Sequence, residues 1–308
     1  MSVVLIMAAL QAAPIAANPD TSPMLVSPLL QRCEKASTLA ERADACATLE
    51  AARRAFRVKF LVFSGRLREA EEDANQGLAA HPGPVGTAIL LAARAEARAN
   101  GGRLGEAERD LNDALRTSDM PAFNRSSALS LRADIKARRD DMVGARSDYN
   151  EAVTADPSSG EARSDRGSFF EARGRYQEAL ADFTAATRLS PGWATGFNNL
   201  CFVLAAYLRR DFERAQVACD RALALQPGNA AFHDSAGLLA MRRGRWNEAL
   251  TRYEHAVQLD PADAGYLYGR GIARVRTGHK AEGQTDLAAA SHKDADIAKS
   301  WAAYGIAL

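Results

Sequence analysis

The chain has 308 residues, 47% of them hydrophobic and 25% charged, and its 39 basic and 38 acidic side chains leave a formal net charge of +1. Both signs are mixed throughout, which argues against a dedicated nucleic-acid surface, since that needs clustered positive charge. The length would hold two ordinary domains, but an internal period points instead to one elongated repeat body.

In chain order, Val3 to Ala13 is apolar, too short to span a bilayer, and followed by Pro14-Ile15-Ala16-Ala17 before the polar Asn18. Residues 1–17 therefore read as a secretory signal peptide cleaved after Ala17, and the protein as exported, periplasmic or secreted. No Lys or Arg precedes the apolar run, so only the amino terminus supplies positive charge. The other reading is a frayed or packed N-terminal helix in a cytoplasmic chain. No Cys follows the run to carry a lipid anchor, and no later segment is long and apolar enough to cross a membrane.

Residues 18–50 read as an N-terminal helical segment or cap. Cys33 and Cys46 flank Ser37-Thr38, where Thr38 and Glu41 have the spacing of a capping box that opens a new helix. Two antiparallel helices hinged there could bring the sulfurs together. Cys201 and Cys219 fall on two helices predicted to pack face to face. In an exported chain both pairs are candidate disulfides; in a reducing compartment they are small buried residues.

From Ala51 to residue 297 one plan recurs: helix, short turn, helix, break. A small residue returns about every 34 positions, at Ala70, Ala107, Ala145, Ala179, Ala215, Ala249 and Gly283. Seven positions later it returns again, at Gly77, Ala114, Ala152, Ala186, Ala222, Ala256 and Ala290. Twelve of these fourteen places are Ala; with 64 Ala in 308 residues, chance would put about 3 there. A small residue fixed at that period marks places where two helix backbones approach closely. Gly65, Gly102, Asp140, Gly174, Gly244 and Gly278 supply the turns, and Pro82, Pro157, Pro191, Pro227 and Pro261 the breaks. The unit at 194–229 has two extra residues around Arg209-Arg210-Asp211, which predicts a lengthened turn. Arg209–Arg210 and Arg242–Arg243 sit at predicted helix ends, where they complement the negative dipole. Trp301, Tyr304, Gly305 and Leu308 repeat a first-helix pattern, so residues 298–308 are expected to cap the last pair or, alternatively, to form a self-association patch.

The order Gly167, Phe170, Tyr176, Ala179, Phe183, Ala186, Pro191 resembles the tetratricopeptide repeat, as does Gly237, Trp246, Ala249, Tyr253, Ala256, Pro261. The resemblance covers about seven units from residue 51 onward. It implies an all-α fold, a right-handed α-solenoid superhelix of helix-turn-helix repeats whose first helices line a concave groove. The groove slots then hold Asp134 and Arg138, Glu161, Asp165 and Glu171, Asn198 and Asn199, Asp234 and Arg242, and Tyr268 and Arg276. Asn is informative because its amide can both donate to and accept from an extended backbone. Repeats of this kind that grip a C-terminal carboxylate use a Lys and Asn pair at the fifth and ninth places of a first helix, and no unit here has it. A mixed, partly acidic groove suits a protein or peptide with some basic residues.

No catalytic constellation stands out. Gly101, Gly102 and Gly105 are not followed by the Lys-Ser/Thr of a phosphate loop. The five His are scattered, and none pairs with another His or Cys at metal-binding spacing. The reading is a non-enzymatic scaffold with no cofactor and no metal, acting on a protein or peptide partner, either as an exported binder or as a cytoplasmic adaptor or structural oligomeriser. If residues 1–17 are removed on export, native protein begins at Asn18 and contains no free thiol. N-terminal sequencing that finds Met1 or Ser2, or a count of four reactive thiols in material isolated without reductant, contradicts this.

Overall fold

The computed structural model describes residues 22–306, and every regular element among the described residues is helical. The expected signal peptide lies outside the described residues. The chain divides at residues 166/167 into two compact bodies.

The first body holds α1 (Ser22–Lys35), α2 (Leu39–Phe63), α3 (Leu67–Ala79), α4 (Gly83–Asn100), α5 (Leu104–Leu115), α6 (Ala122–Arg138), α7 (Met142–Ala155) and the start of α8 (Gly160–Glu171). Thr38 opens α2 with the expected capping box: the Glu41 amide donates to Thr38 Oγ1 at 3.2 Å and the Thr38 amide donates to Glu41 Oε2 at 3.2 Å. Cys33 and Cys46 tie α1 to α2, with their Cα atoms 4.7 Å apart. The boundary read at residues 50/51 falls inside α2, which runs unbroken for 25 residues. No Gly or Pro interrupts residues 39–63, and among the described residues the first left-handed turn residue is Gly65.

The second body contains the rest of α8, then α9 (Tyr176–Leu189), α10 (Ala194–Phe202), α11 (Phe212–Leu225), α12 (Ala230–Arg242), α13 (Trp246–Leu259), α14 (Ala264–Arg276), α15 (Lys280–Lys293) and α16 (Ile297–Ala303). The two extra residues do more than lengthen a turn. α10 continues as a π-helical stretch, Val203–Leu208, and Arg209 and Asp211 then take left-handed conformations at φ 52° and 54°. A wider helix absorbs inserted residues without breaking the axis.

Each body is an α-solenoid of antiparallel helix pairs, and the small residues sit in its seams. Ala70, Ala107 and Ala145 in the first body, and Ala179, Ala215 and Ala249 in the second, are all fully buried. So are Ala114, Ala152, Ala186, Ala222, Ala256 and Ala290 seven positions on. At Gly283 even one carbon is too much, since a Cβ there would lie 2.7 Å from Val275 and 2.8 Å from the Gly271 carbonyl oxygen.

A second, polar link pins several pairs. Arg57 and Asp73, Arg94 and Asp110, and Arg132 and Asp148 join first to second helix in the first body, as do Arg270 and Asp286 in the second. Each aspartate follows its arginine by 16 residues, and the Nε–Oδ2 distances are 2.7–2.9 Å. Three of these aspartates hold a second cation four residues along the first helix: Arg98 at 2.9 Å, Lys136 at 2.8 Å and Arg274 at 2.8 Å. A two-pronged guanidinium fixes the relative rotation of the two helices as well as their spacing. The α10/α11 pair is pinned covalently, with Cys201 bonded to Cys219 and their Cα atoms 5.3 Å apart.

Enlarging a seam alanine forces the helices apart. Ala179→Leu or Ala249→Leu is expected to destabilise the fold by about 1–3 kcal/mol, read as a lowered midpoint of urea unfolding. An unmoved midpoint contradicts the seam.

Candidate partner-binding grooves

The residues assigned to groove slots fall into two sets, one in each body. In the first body, α2, α4, α6 and the start of α8 present side chains to a shared cavity of about 110 Å³. Lys59 of α2 and Glu96 of α4 line it with Asp134 of α6 and Glu161 and Asp165 of α8. Asp134, Glu161 and Asp165 were expected at this wall. Lys59 and Glu96 come from the same ninth place of their first helices, but only stacking brings them to the carboxylates. Arg138 stands one turn beyond Asp134, exposed at the end of α6.

The cavity has more carboxylates than cations. Lys59 Nζ lies 4.0 Å from Glu96 Oε2, and Tyr149 donates its hydroxyl to Asp134. Burial opposes the charge on Lys59, but Glu96 and Glu161 together raise its pKa. Burial also raises the pKa of Asp134 and of Glu161. Asp165 is raised well above the usual carboxylate range, through burial first and then the charges of Glu161 and Asp134. Ser130 is 6% exposed, and its Oγ closes no hydrogen bond.

In the second body the corresponding wall is covered. Tyr268 of α14, expected to face an open groove, is 6% exposed with Trp301 across it at 5.5 Å between ring centroids. Trp301 also meets Tyr253 of α13 at 5.8 Å. The segment after α16 therefore does not stop at the last helix pair. Tyr304 reaches Phe202 and Tyr207, each at 5.8 Å, and Tyr207 stacks on Tyr176 at 4.2 Å. Arg242 donates to the Gly305 carbonyl at 3.3 Å and to the Ala206 carbonyl at 3.4 Å, while Arg209 donates to the Ala303 carbonyl at 3.3 Å. Asn198 and Asn199 are half-buried on α10, and Asn198 Oδ1 is buried without a hydrogen-bond partner. Tyr253 donates its hydroxyl to the Asp234 carbonyl at 3.3 Å. Burial pushes Asp234 and Glu171 up to about 7 each. Among the described residues, no group of three or more His, Cys, Asp or Glu could hold a metal ion, and no helix is long and apolar enough to cross a membrane.

These features define an all-helical repeat scaffold whose first helices line walls. Two stretches match descriptions of the repeat by sequence, residues 128–192 to "Tetratricopeptide repeat" and residues 237–278 to "TPR repeat". The chain therefore contains tetratricopeptide repeats in these two stretches. No curated protein matches it significantly in sequence. Solved structures match in fold. PilW, described as a widely conserved type IV pilus biogenesis factor, superposes with a TM-score of 0.58 at 20% identity, over 67% of this chain and 92% of PilW. Pseudomonas aeruginosa pilF gives 0.57 at 17% identity, over 71% and 95%. A tetratricopeptide repeat protein from Parabacteroides merdae gives 0.54 at 17% identity, over 84% and 99%.

The raised carboxylates make stability depend on pH. Below about pH 4, Asp234 and Glu171 are protonated whether the chain is folded or not. Between that point and about 7 the unfolded chain has released protons that the folded chain retains, so rising pH favours unfolding; above 7 the penalty is constant. The unfolding midpoint is expected to be lower at pH 8 than at pH 5, and Asp234→Asn with Glu171→Gln should shrink that difference. Equal midpoints at the two pH values in the unaltered chain contradict the burial of these groups.

Proposed function

We propose that the protein is a non-enzymatic scaffold that binds a protein or peptide partner along its first-helix walls, and that the cavity of the first body takes a basic side chain of that partner. The observation that carries this reading is the excess of carboxylate around Lys59, with the unpartnered Ser130 hydroxyl beside it. An arriving Lys or Arg would neutralise carboxylates that burial otherwise holds towards their protonated form, so binding should tighten as pH rises from 5 to 8. It would also give the Ser130 Oγ an N–H donor to accept from. Function is then bought with stability, since the same carboxylates disfavour the folded chain at neutral pH.

Export to an oxidising compartment is part of the same reading. The apolar segment before Asn18 supports it, and so do two cysteine pairs at bonding distance, because such bonds persist where thiols are not kept reduced.

A random twelve-residue peptide library displayed on phage and panned on the folded chain at pH 7.5 tests the ligand class. Lys or Arg should be enriched at a fixed position. The Asp134→Asn, Asp165→Asn double variant should bind the selected peptides at least tenfold more weakly, while its urea midpoint rises by about 1 kcal/mol equivalent as buried charge is removed. Peptides no more basic than the library, no enrichment, or equal binding by the variant would overturn the proposal.

A further inference from the structure

The cavity of the first body repeats one pattern on three first helices, each of which gives it a small residue one turn before a charged one. Ala55 precedes Lys59 on α2, Ala92 precedes Glu96 on α4, and Ser130 precedes Asp134 on α6. The small residues leave the space, and the charged ones gather a turn further on. Several acceptors at that charged end are already in use. Asp134 Oδ1 receives the Tyr149 hydroxyl, which leaves Asp134 one free oxygen, and Glu96 faces Lys59 at 4.0 Å. Asp165 on α8 has no cation within ion-pair distance among the described residues, and the Ser130 Oγ is buried without a partner.

The two basic side chains ask different things of such a site. A guanidinium holds its N–H groups in one plane and suits a two-oxygen carboxylate edge or an aromatic face. Asp134 has lost that edge to Tyr149. Phe123, the only aromatic residue on the lining among the described residues, stands seven residues before Ser130 on α6, about 10 Å along the axis. A fork laid on Asp165 alone would leave Ser130 and the free Asp134 oxygen unanswered. An ammonium is a compact charge with three donors that fan out. Ser130 and Asp134 on one helix and Asp165 on the next approach from different directions, as those three donors require. Lys59 is the cation that the cavity already contains, and it is loosely held. Its one ion pair is the 4.0 Å approach to Glu96, and its side chain stays 36% exposed. It therefore leaves the acceptors unfilled while its charge repels any cation that comes to fill them.

We infer that the cavity takes the primary ammonium of a partner's lysine in preference to the guanidinium of an arginine, and that Lys59 limits how tightly that lysine is held. The inference rests on the reading of this cavity as a cation site and adds to it the choice between the two basic side chains. Asp134, Asp165 and Ser130 supply the acceptors, Tyr149 narrows Asp134 to a single oxygen, and Lys59 sets the opposing charge.

The test uses the full chain at pH 7.5 and low salt with three pentapeptides, acetylated and amidated at their ends. Each has lysine, arginine or Nε-acetyl-lysine at the centre and alanine elsewhere, and binding is followed by amide chemical shifts. The lysine peptide should bind about fivefold or more tightly than the arginine peptide. The acetyl-lysine peptide, which keeps the stem without the charge, should bind at least about tenfold more weakly than the lysine peptide. Lys59→Gln should tighten the lysine peptide by about fivefold or more, and added salt should shrink that gain. Arginine bound as tightly as lysine overturns the preference and leaves the cation site standing. Binding by neither basic peptide, or equal binding by the acetylated one, removes the cation site and this inference with it. An unchanged or weaker affinity in the Lys59→Gln chain overturns the role given to Lys59. Should that variant lose the helical circular dichroism signal, Lys59→Met, which keeps an unbranched stem, takes its place, and the ratio of lysine to arginine affinity is read on the unaltered chain in either case.

Discussion

Everything in this molecule depends on how closely two helix backbones can pass. The fully buried alanines of the seams set that distance, and Gly283 sets it closer still. With the seam fixed at a methyl group's thickness, the larger side chains of each helix have to project elsewhere. Aromatic and aliphatic residues go between successive pairs, and the polar residues of the first helices go to the open wall. The arginine–aspartate clamps then become possible, because a guanidinium on a first helix reaches a carboxylate on the second only if the axes are near. Their burial, with Asp148 3% exposed and Asp286 5%, means that removing either aspartate would leave two partly buried cations without compensation. They serve geometry more than net stability.

The seams were legible in the sequence because a period of small residues has one physical meaning. The clamps were written there too, as an arginine followed sixteen residues later by an aspartate, but charged residues are common enough that the spacing carries weight only once helix pairs are known to bring such positions together. In the 194–229 unit, where the arginine and aspartate are missing, Cys201 and Cys219 do the same work, so the pairing expected from helix placement was a clue to the clamp as well. The turn expected from the two extra residues turned out to be partly helical. Composition does not distinguish an α-helix from a π-helix, since the difference lies in which carbonyl each amide reaches.

The course of the C-terminal segment was the least legible feature. Its first-helix pattern suggested a cap on the final pair, and Trp301 does pack on α14. The contacts that carry it farther are to partners distant in sequence: Arg209 and Ala303 are separated by 94 residues. No local periodicity encodes such a contact. For the same reason Tyr268 was read as open wall, although Trp301 covers it. In the first body, by contrast, Asp134, Glu161 and Asp165 were assigned to the wall from position alone and line one cavity, because stacking at a fixed period makes equivalent positions neighbours.

The two walls therefore present opposite problems of charge. One gathers carboxylates that burial discourages from ionising, around a single lysine. The other places two arginines, Arg209 and Arg242, against neutral backbone carbonyls. In a fold selected for stability alone, substitution to asparagine or to a neutral long side chain would relieve either arrangement, and neither lies in a seam where packing would forbid the change. Both lie instead where a first helix faces outward from its pair. Polar groups left unanswered on a rigid surface are already desolvated and oriented before a partner arrives, so the partner need not supply that part of the free energy when it binds.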